Sequence, residues 1–279
     1  MLALTGLLAK LKKALVFFEP ASFLAGERLR RQSSCASFDR FSRQSRCFCV
    51  GAGPSLDAVD LSQVCNSTVI LLNRSITRHA EFQGRGNDLF WFCQDVKLMW
   101  HLFEEVPEAI PKILSAHKYV NLRCLHQRFN PEQDIFLQPR PCLRDPASLD
   151  KGRGSAASIW PSLFLDVDPS RYHWDHRKRF RVAPSSVMFA AMFFAMHFNF
   201  REIVALGMDL PDSNANYHYA EGCFHTHRHD HFSRSLTDRC LLRLAELASF
   251  RKVSLLNASP LTSSHVLPVV ENLSALPAS

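Results

Sequence analysis

Glycine is scarce in this chain, with 10 residues in 279, so the few clusters it forms carry more information than usual. No Cys-x-x-Cys pair occurs among the nine cysteines, and the count is odd. That argues against a disulfide framework and against a zinc site built on cysteine. Several thiols sit in apolar runs (Cys47-Phe48-Cys49, Phe92-Cys93), as reduced, buried residues of a reducing compartment do. Long apolar runs are missing too. The longest, Val187 to Met196, falls far short of the ~20 residues a helix needs to cross a bilayer. The first lysines follow the first apolar stretch instead of preceding it, so the start does not read as a secretory signal. Neither an internal repeat nor a low-complexity tract occurs. Together these absences lead us to expect a cytoplasmic protein.

The remaining composition is ordinary for a globular chain, at 47% hydrophobic and 21% charged, with enough apolar mass for one sizeable core. The formal charge of +7 favours anionic partners: a nucleotide, a membrane surface or nucleic acid. Against nucleic acid, no RNA- or DNA-binding motif is present. Residues 2–18 place Leu4, Leu7, Leu8, Leu11 and Leu15 at helical spacing, with Lys10, Lys12 and Lys13 opposite. This predicts an amphipathic helix that either docks on an anionic membrane face or packs on its own domain. A stretch rich in Arg and Ser follows. Residues 1–45 thus read as helix plus basic linker, with peripheral contact to the inner membrane face as the functional expectation.

The catalytic domain is expected over 46–270, with 271–279 as a tail. Short apolar strands at Arg46–Val50, Thr68–Leu72, Asp88–Cys93 and near Tyr119–Leu122 alternate with helical segments. An irregular insertion with many prolines spans 126–183. Ser185 and Ser186 then precede, and are placed to cap, an apolar helix from Val187 to Phe198. A strand at Glu202–Leu206, a lid loop over 211–235, a helix over 236–250 and a strand at Lys252–Leu256 complete the pattern. Strands alternating with helices indicate an α/β, Rossmann-like domain with a mostly parallel, doubly wound sheet.

In such a sheet, ligands bind beyond the carboxyl ends of the strands. The candidates are Gly51, Ala52, Gly53, Pro54 and Ser55, then Asn73, Gln94 with Asp95, Asp209 and Asn257, each directly after an apolar run. Glycines in the Gly51–Ser55 turn let the backbone approach an anion. Pro54 suits the first helical position, and helix-start donors favour a phosphate. We therefore expect the turn to hold a nucleotide-linked substrate by its phosphate, although the same residues also fit a tight turn with no ligand. It lacks the Gly-Lys-Ser/Thr of a triphosphate loop and the third glycine of the dinucleotide fingerprint. Further on, Tyr217 and Tyr219 precede His225, His227, His229 and His231. One imidazole there is suited to be a general base. Alternating histidines also suit metal binding, or no function at all, and nothing fixes the three or four ligands of a structural zinc. Asp95 and Asp209 form no evident acid/base pair.

Two blocks of motifs run in a recognisable order: Gly51-x-Gly53-Pro54-Ser55-Leu56, Asp60-x-Ser62, Asn73 and Phe90-x-Phe92-x-Gln94, then Arg181, Ser185-Ser186, Phe200-Arg201-Glu202-Ile203, Gly207-x-Asp209 and Tyr217. In this order the chain resembles the bacterial sialyltransferases of glycosyltransferase family 42 across most of residues 47–265. The resemblance implies metal-independent transfer from CMP-sialic acid, with no cofactor, to a glycan or glycolipid acceptor. It implies His231 as base, with His229 or His227 as alternatives, and Tyr217 on the leaving phosphate. Asn73, Gln94 and Ser186 would contact the nucleotide or donor sugar, and Tyr219 would replace a second tyrosine whose place falls on Pro211. The chain departs from that pattern with Ala52 and Gln94, where the family carries asparagine. A homo-oligomer is compatible with it. The motility accessory and 6-hydroxymethylpterin diphosphokinase-like proteins resemble the same skeleton, Asn257-Ala258-Ser259 included. They imply a magnesium-dependent pyrophosphate transfer using ATP, with Asp95 and Asp209 as metal ligands. A non-enzymatic nucleotide- or nucleic-acid-binding protein is the third alternative.

Overall fold

Seven short strands carry the architecture: β1 Arg46–Val50, β2 Thr68–Leu72, β3 Asp88–Cys93, β4 Lys112–Leu114, β5 Ile135–Phe136, β6 Glu202–Leu206 and β7 Ser254–Asn257. The computed structural model describes residues 41, 43–94, 96–114, 129–137, 186–198, 200–209, 234–260, 262 and 264–276. The strands form one sheet in the order β5-β4-β3-β2-β1-β6-β7, and every pairing is parallel. All of β1 and β2 is buried. A parallel sheet covered on both faces demands this, and it explains the unbroken apolar runs in place of alternation.

Side chains alternate across the sheet. One face, with Cys47, Cys49, Ile70, Phe90 and Ile203, packs on the helices α2 (Val187–Ala195) and α3 (Arg234–Phe250). The other, with Phe48, Val50, Leu71, Trp91 and Leu206, packs on Leu56, Ile76, Phe82 and on Met99 of α1 (Val96–Leu102). Residues 188–195 of α2 are buried without exception, which accounts for an apolar sequence with no polar face. Among the described residues no helix is long and apolar enough to cross a membrane.

Polar anchors fix the amino edge. Arg46 Nε donates to Glu202 Oε2 at 2.6 Å, across the first paired positions of β1 and β6. Asp134, just before β5, accepts from the backbone N–H of Lys112 and of Asn130, both at 2.9 Å. The Lys112 ammonium stands 3.7 Å from the same carboxylate.

The structure adds to the sequence expectations in four places. Phe41, inside the stretch read as linker, is wholly buried and packs edge-on against Phe90, Phe194 and Phe200. An aromatic scattered among arginines and serines carries no periodicity, so sequence reasoning passes over it. The described fourth strand is Lys112–Leu114, whereas the expected one at 119–122 lies outside the described residues. Within the span read as irregular insertion, Ile135–Phe136 pairs as β5. In the expected tail, Leu273 is buried in a short 3-10 turn. The expected helix over 2–18 and loop over 211–235 lie outside the described residues, save Arg234 and Ser235, which open α3.

Candidate functional site

From β1 the chain steps through β2, β3 and β4 to β5 on one side, then returns to β6 on the other side of β1. The turns after β1 and β6 therefore flank a topological switch point, where open parallel sheets bind ligands. Here the two turns touch backbone to backbone. Gly51 N–H donates to Leu206 O at 2.7 Å and Gly53 N–H to Gly207 O at 3.2 Å. Gly207 has φ +62°, a conformation only glycine adopts readily. A Cβ on Gly51 would lie 2.6 Å from Gly207 O.

Pro54 opens a 3-10 helix of five residues, Pro54–Ala58. Ser55 N–H donates to Asp209 Oδ2 at 2.8 Å in a buried contact. Three amides of the turn are thus engaged internally, Pro54 has none, and the amide of exposed Ala52 has no partner among the described residues. This corrects the expectation of a backbone phosphate cradle under a helix dipole. A carboxylate from β6 already occupies the helix start, and five residues make little dipole. Asp209 thus holds a turn that lies 154 residues earlier in the chain.

The β2 and β3 ends are joined through Asn73. Its φ is +49°, which asparagine tolerates better than most residues. Trp91 Nε1 donates to Asn73 O at 2.7 Å, and Gln94 N–H donates to Asn73 Oδ1 at 3.3 Å. Ser75 Oγ lies 2.7 Å from Val50 O and 3.0 Å from Leu72 O, so one hydroxyl bridges the carboxyl ends of β1 and β2. On the far side, Met208 N–H donates to Ser259 Oγ at 2.7 Å and Ser259 N–H to Asn257 Oδ1 at 3.1 Å. At the start of α2, Ser186 Oγ accepts from Met188 N–H at 3.2 Å, and the Met188 methyl would lie 3.1 Å from a Cβ on Gly51.

Five strand ends expected to carry the site are therefore linked into one polar row. Within it Ser55 Oγ, Gln94 Nε2 and Asn257 Nδ2 are buried with no hydrogen-bond partner among the described residues. Buried polar atoms are nearly always paired, so this row has bonding capacity in hand. Cysteine chemistry does not add to it: burial, with Cys49 alongside, pushes the Cys47 thiol well above its ordinary range, which keeps it protonated. Asp95, Ser185, Tyr217, Tyr219, His225, His227, His229 and His231 lie outside the described residues. The tyrosines and histidines among them fall between Asp209 and Arg234, the described residues on either side. Sequence reasoning missed Ser75 and Trp91. Ser75 sits three residues past the end of β2 and offers a weak signal, but Trp91 reads as plain core.

No protein-family model matches the chain, and no curated protein matches it. Among solved structures it is similar to the sialyltransferase CST-II in complex with trisaccharide acceptor and CMP, at 14% identity and a TM-score of 0.43, over 84% of this chain and 89% of that one. It is also similar to a variant of CST-II in complex with CMP, at 14% identity and a TM-score of 0.44, over 84% of this chain and 90% of that one.

Proposed function

We propose that the chain is a glycosyltransferase that moves a sugar, sialic acid from its CMP-activated form, to a hydroxyl of a glycan or glycolipid. The observation that carries the proposal is the polar row at the switch point, where Ser55 Oγ, Gln94 Nε2 and Asn257 Nδ2 lack partners among the described residues. A nucleotide-linked sugar is rich in hydroxyl and carbonyl groups that can pair with such atoms. Asn73, Gln94 and the Ser185-Ser186 pair would contact the nucleotide or donor sugar. With the β1 turn's other amides engaged, its direct contribution is the Ala52 N–H.

In the reaction, His231, or His229 in its place, removes the acceptor hydroxyl proton. The resulting oxygen attacks the anomeric carbon, and the bond from that carbon to the phosphate oxygen breaks. CMP leaves with the electron pair, its phosphate held by Tyr217 and Tyr219. A positioned base and a stabilised leaving group are what the barrier requires, and no metal takes part. Residues 1–45 would hold the enzyme against the inner membrane face, near a lipid-linked acceptor. A flotation assay that leaves the whole protein unbound would remove that part of the proposal.

Calorimetry with CMP, CDP, UDP and ATP, each with and without magnesium, tests the nucleotide assignment. Binding of CMP without metal is the expected result. Binding of ATP only with magnesium would replace the proposal with the pyrophosphate-transfer alternative and direct attention to Asp95 and Asp209.

A further inference from the structure

The β1 turn and the β6 turn meet at three points: two backbone contacts and one side chain, Asp209. Gly53 N–H reaches Gly207 O at 3.2 Å, and a Cβ on Gly207 would lie 2.8 Å from Gly51 O. The Asp209 carboxylate supplies the third point at 2.8 Å from Ser55 N. Gly53 has no room for a side chain, because a Cβ there would lie 2.5 Å from that same carboxylate oxygen. The Asp209 loop is itself tied back, since the neighbouring Met208 N–H donates to Ser259 Oγ at 2.7 Å and Ser259 extends from β7. Asp209 is 5% exposed, so little water competes with this contact.

We infer that Asp209 is a positioning residue. It fixes the β1 turn, and through it the Ala52 amide and the Ser55 hydroxyl, by accepting the hydrogen bond from Ser55 N–H. The ligand whose binding reports this rests on the proposed CMP-sugar reading; the geometry of the turn does not. An acceptor role separates Asp209→Asn from Asp209→Ala. Asparagine keeps an oxygen of the same reach, whereas alanine leaves the buried Ser55 N–H unpaired, a loss worth about 10- to 100-fold in an equilibrium constant.

Two readouts on the full-length chain test the inference. Amide hydrogen exchange of the peptide covering 51–58, measured without nucleotide, reports the turn itself. CMP affinity by calorimetry reports what the turn does for the ligand. Asp209→Ala should raise exchange over 51–58 by about 10-fold or more and weaken CMP binding to a similar degree, while β2 and β3 keep their protection. Asp209→Asn should retain most of both, within about 5-fold of wild type. If asparagine fails as badly as alanine, charge matters and the inference is overturned. If alanine leaves exchange over 51–58 at the wild-type level, it is overturned as well. Should wild type bind no CMP, the nucleotide proposal falls, and the exchange comparison still decides the role of Asp209. Should Asp209→Ala not fold, Ser259→Ala takes its place: it withdraws the hydroxyl that holds Met208 N–H. Faster exchange over 51–58 would then support the inference, and unchanged exchange would overturn it.

Discussion

A methyl group added at Gly53 would lie 2.5 Å from Asp209 Oδ2 and 2.6 Å from Gly207 O. The backbone at this position does not forbid alanine, since its φ is −70° and its ψ 151°. Gly53→Ala is therefore a steric test and would by itself stabilise slightly through the unfolded chain. Neither crowded neighbour can swing away freely. Gly207 O accepts from Gly53 N–H, and the carboxylate accepts from Ser55 N–H. To reach the 3.4 Å at which ordinary contact begins, the two turns must part by roughly 0.8 Å. Overpacking of this kind costs about 1–3 kcal/mol, and losing the carboxylate contact adds about 1–3 kcal/mol. We expect a net loss of about 2–5 kcal/mol, which lowers Tm by roughly 5–15 °C for a chain of this size. Gly84→Ala is the matched control. Gly84 has φ +73° with nothing within 4 Å of the added carbon, so only the left-handed penalty of about 1–2 kcal/mol applies. Urea unfolding and thermal melts of both variants decide the matter. If Gly53→Ala melts at or above wild type, or loses no more than Gly84→Ala, the two turns are not packed as described.

Three other outcomes follow from contacts elsewhere. Trp91→Phe keeps a ring in a fully buried site but withdraws the N–H from Asn73 O; we expect a loss of about 1–3 kcal/mol in urea unfolding and weaker CMP binding by calorimetry. Phe41→Ala should cost about 3–5 kcal/mol, which a denaturation curve would report and which a mere linker residue would not show. For Asp134, burial raises the carboxyl pKa above 3.8, outweighing the lowering by Lys112 and two backbone N–H groups. A raised folded-state value means its contribution is full below pH 3.8 and is lost as pH rises through the raised value. The stability of Asp134→Asn relative to wild type should therefore improve from about pH 4 upward, and a relative stability that falls with pH would refute this.

Much of the fold could be read from the sequence because a parallel sheet writes its central strands as compact apolar runs. The limits expected for β1, β2, β3 and β6 match those observed, and the β7 strand is offset by two residues at its start. The edge was harder. Lys112 opens β4, and its buried charge makes sense only with Asp134 from 22 residues further on. A two-residue β5 leaves no periodicity to find. Of the site, the positions at strand ends were legible, since each polar residue breaks an apolar run. What each does was not. Asp209 reads as a ligand at a strand end, and its partner Ser55 lies in the turn after the neighbouring strand, 154 residues earlier. The engagement of three turn amides depends on β6 being the neighbour of β1, a pairing that no local pattern encodes.

The bare backbone contact between the β1 and β6 turns also bears on how this protein can be varied. Where Gly51, Gly53 and Gly207 meet, main chain packs on main chain, and each added Cβ would fall within 2.8 Å of a neighbouring oxygen. A library that randomises these three positions would consist largely of misfolded members and would explore no new chemistry. Under the proposed function, diversity in what the site accepts has to come from 73, 94 and 257, at or just past the ends of β2, β3 and β7. A selection for altered donor preference is best aimed there, with the three glycines left as they are.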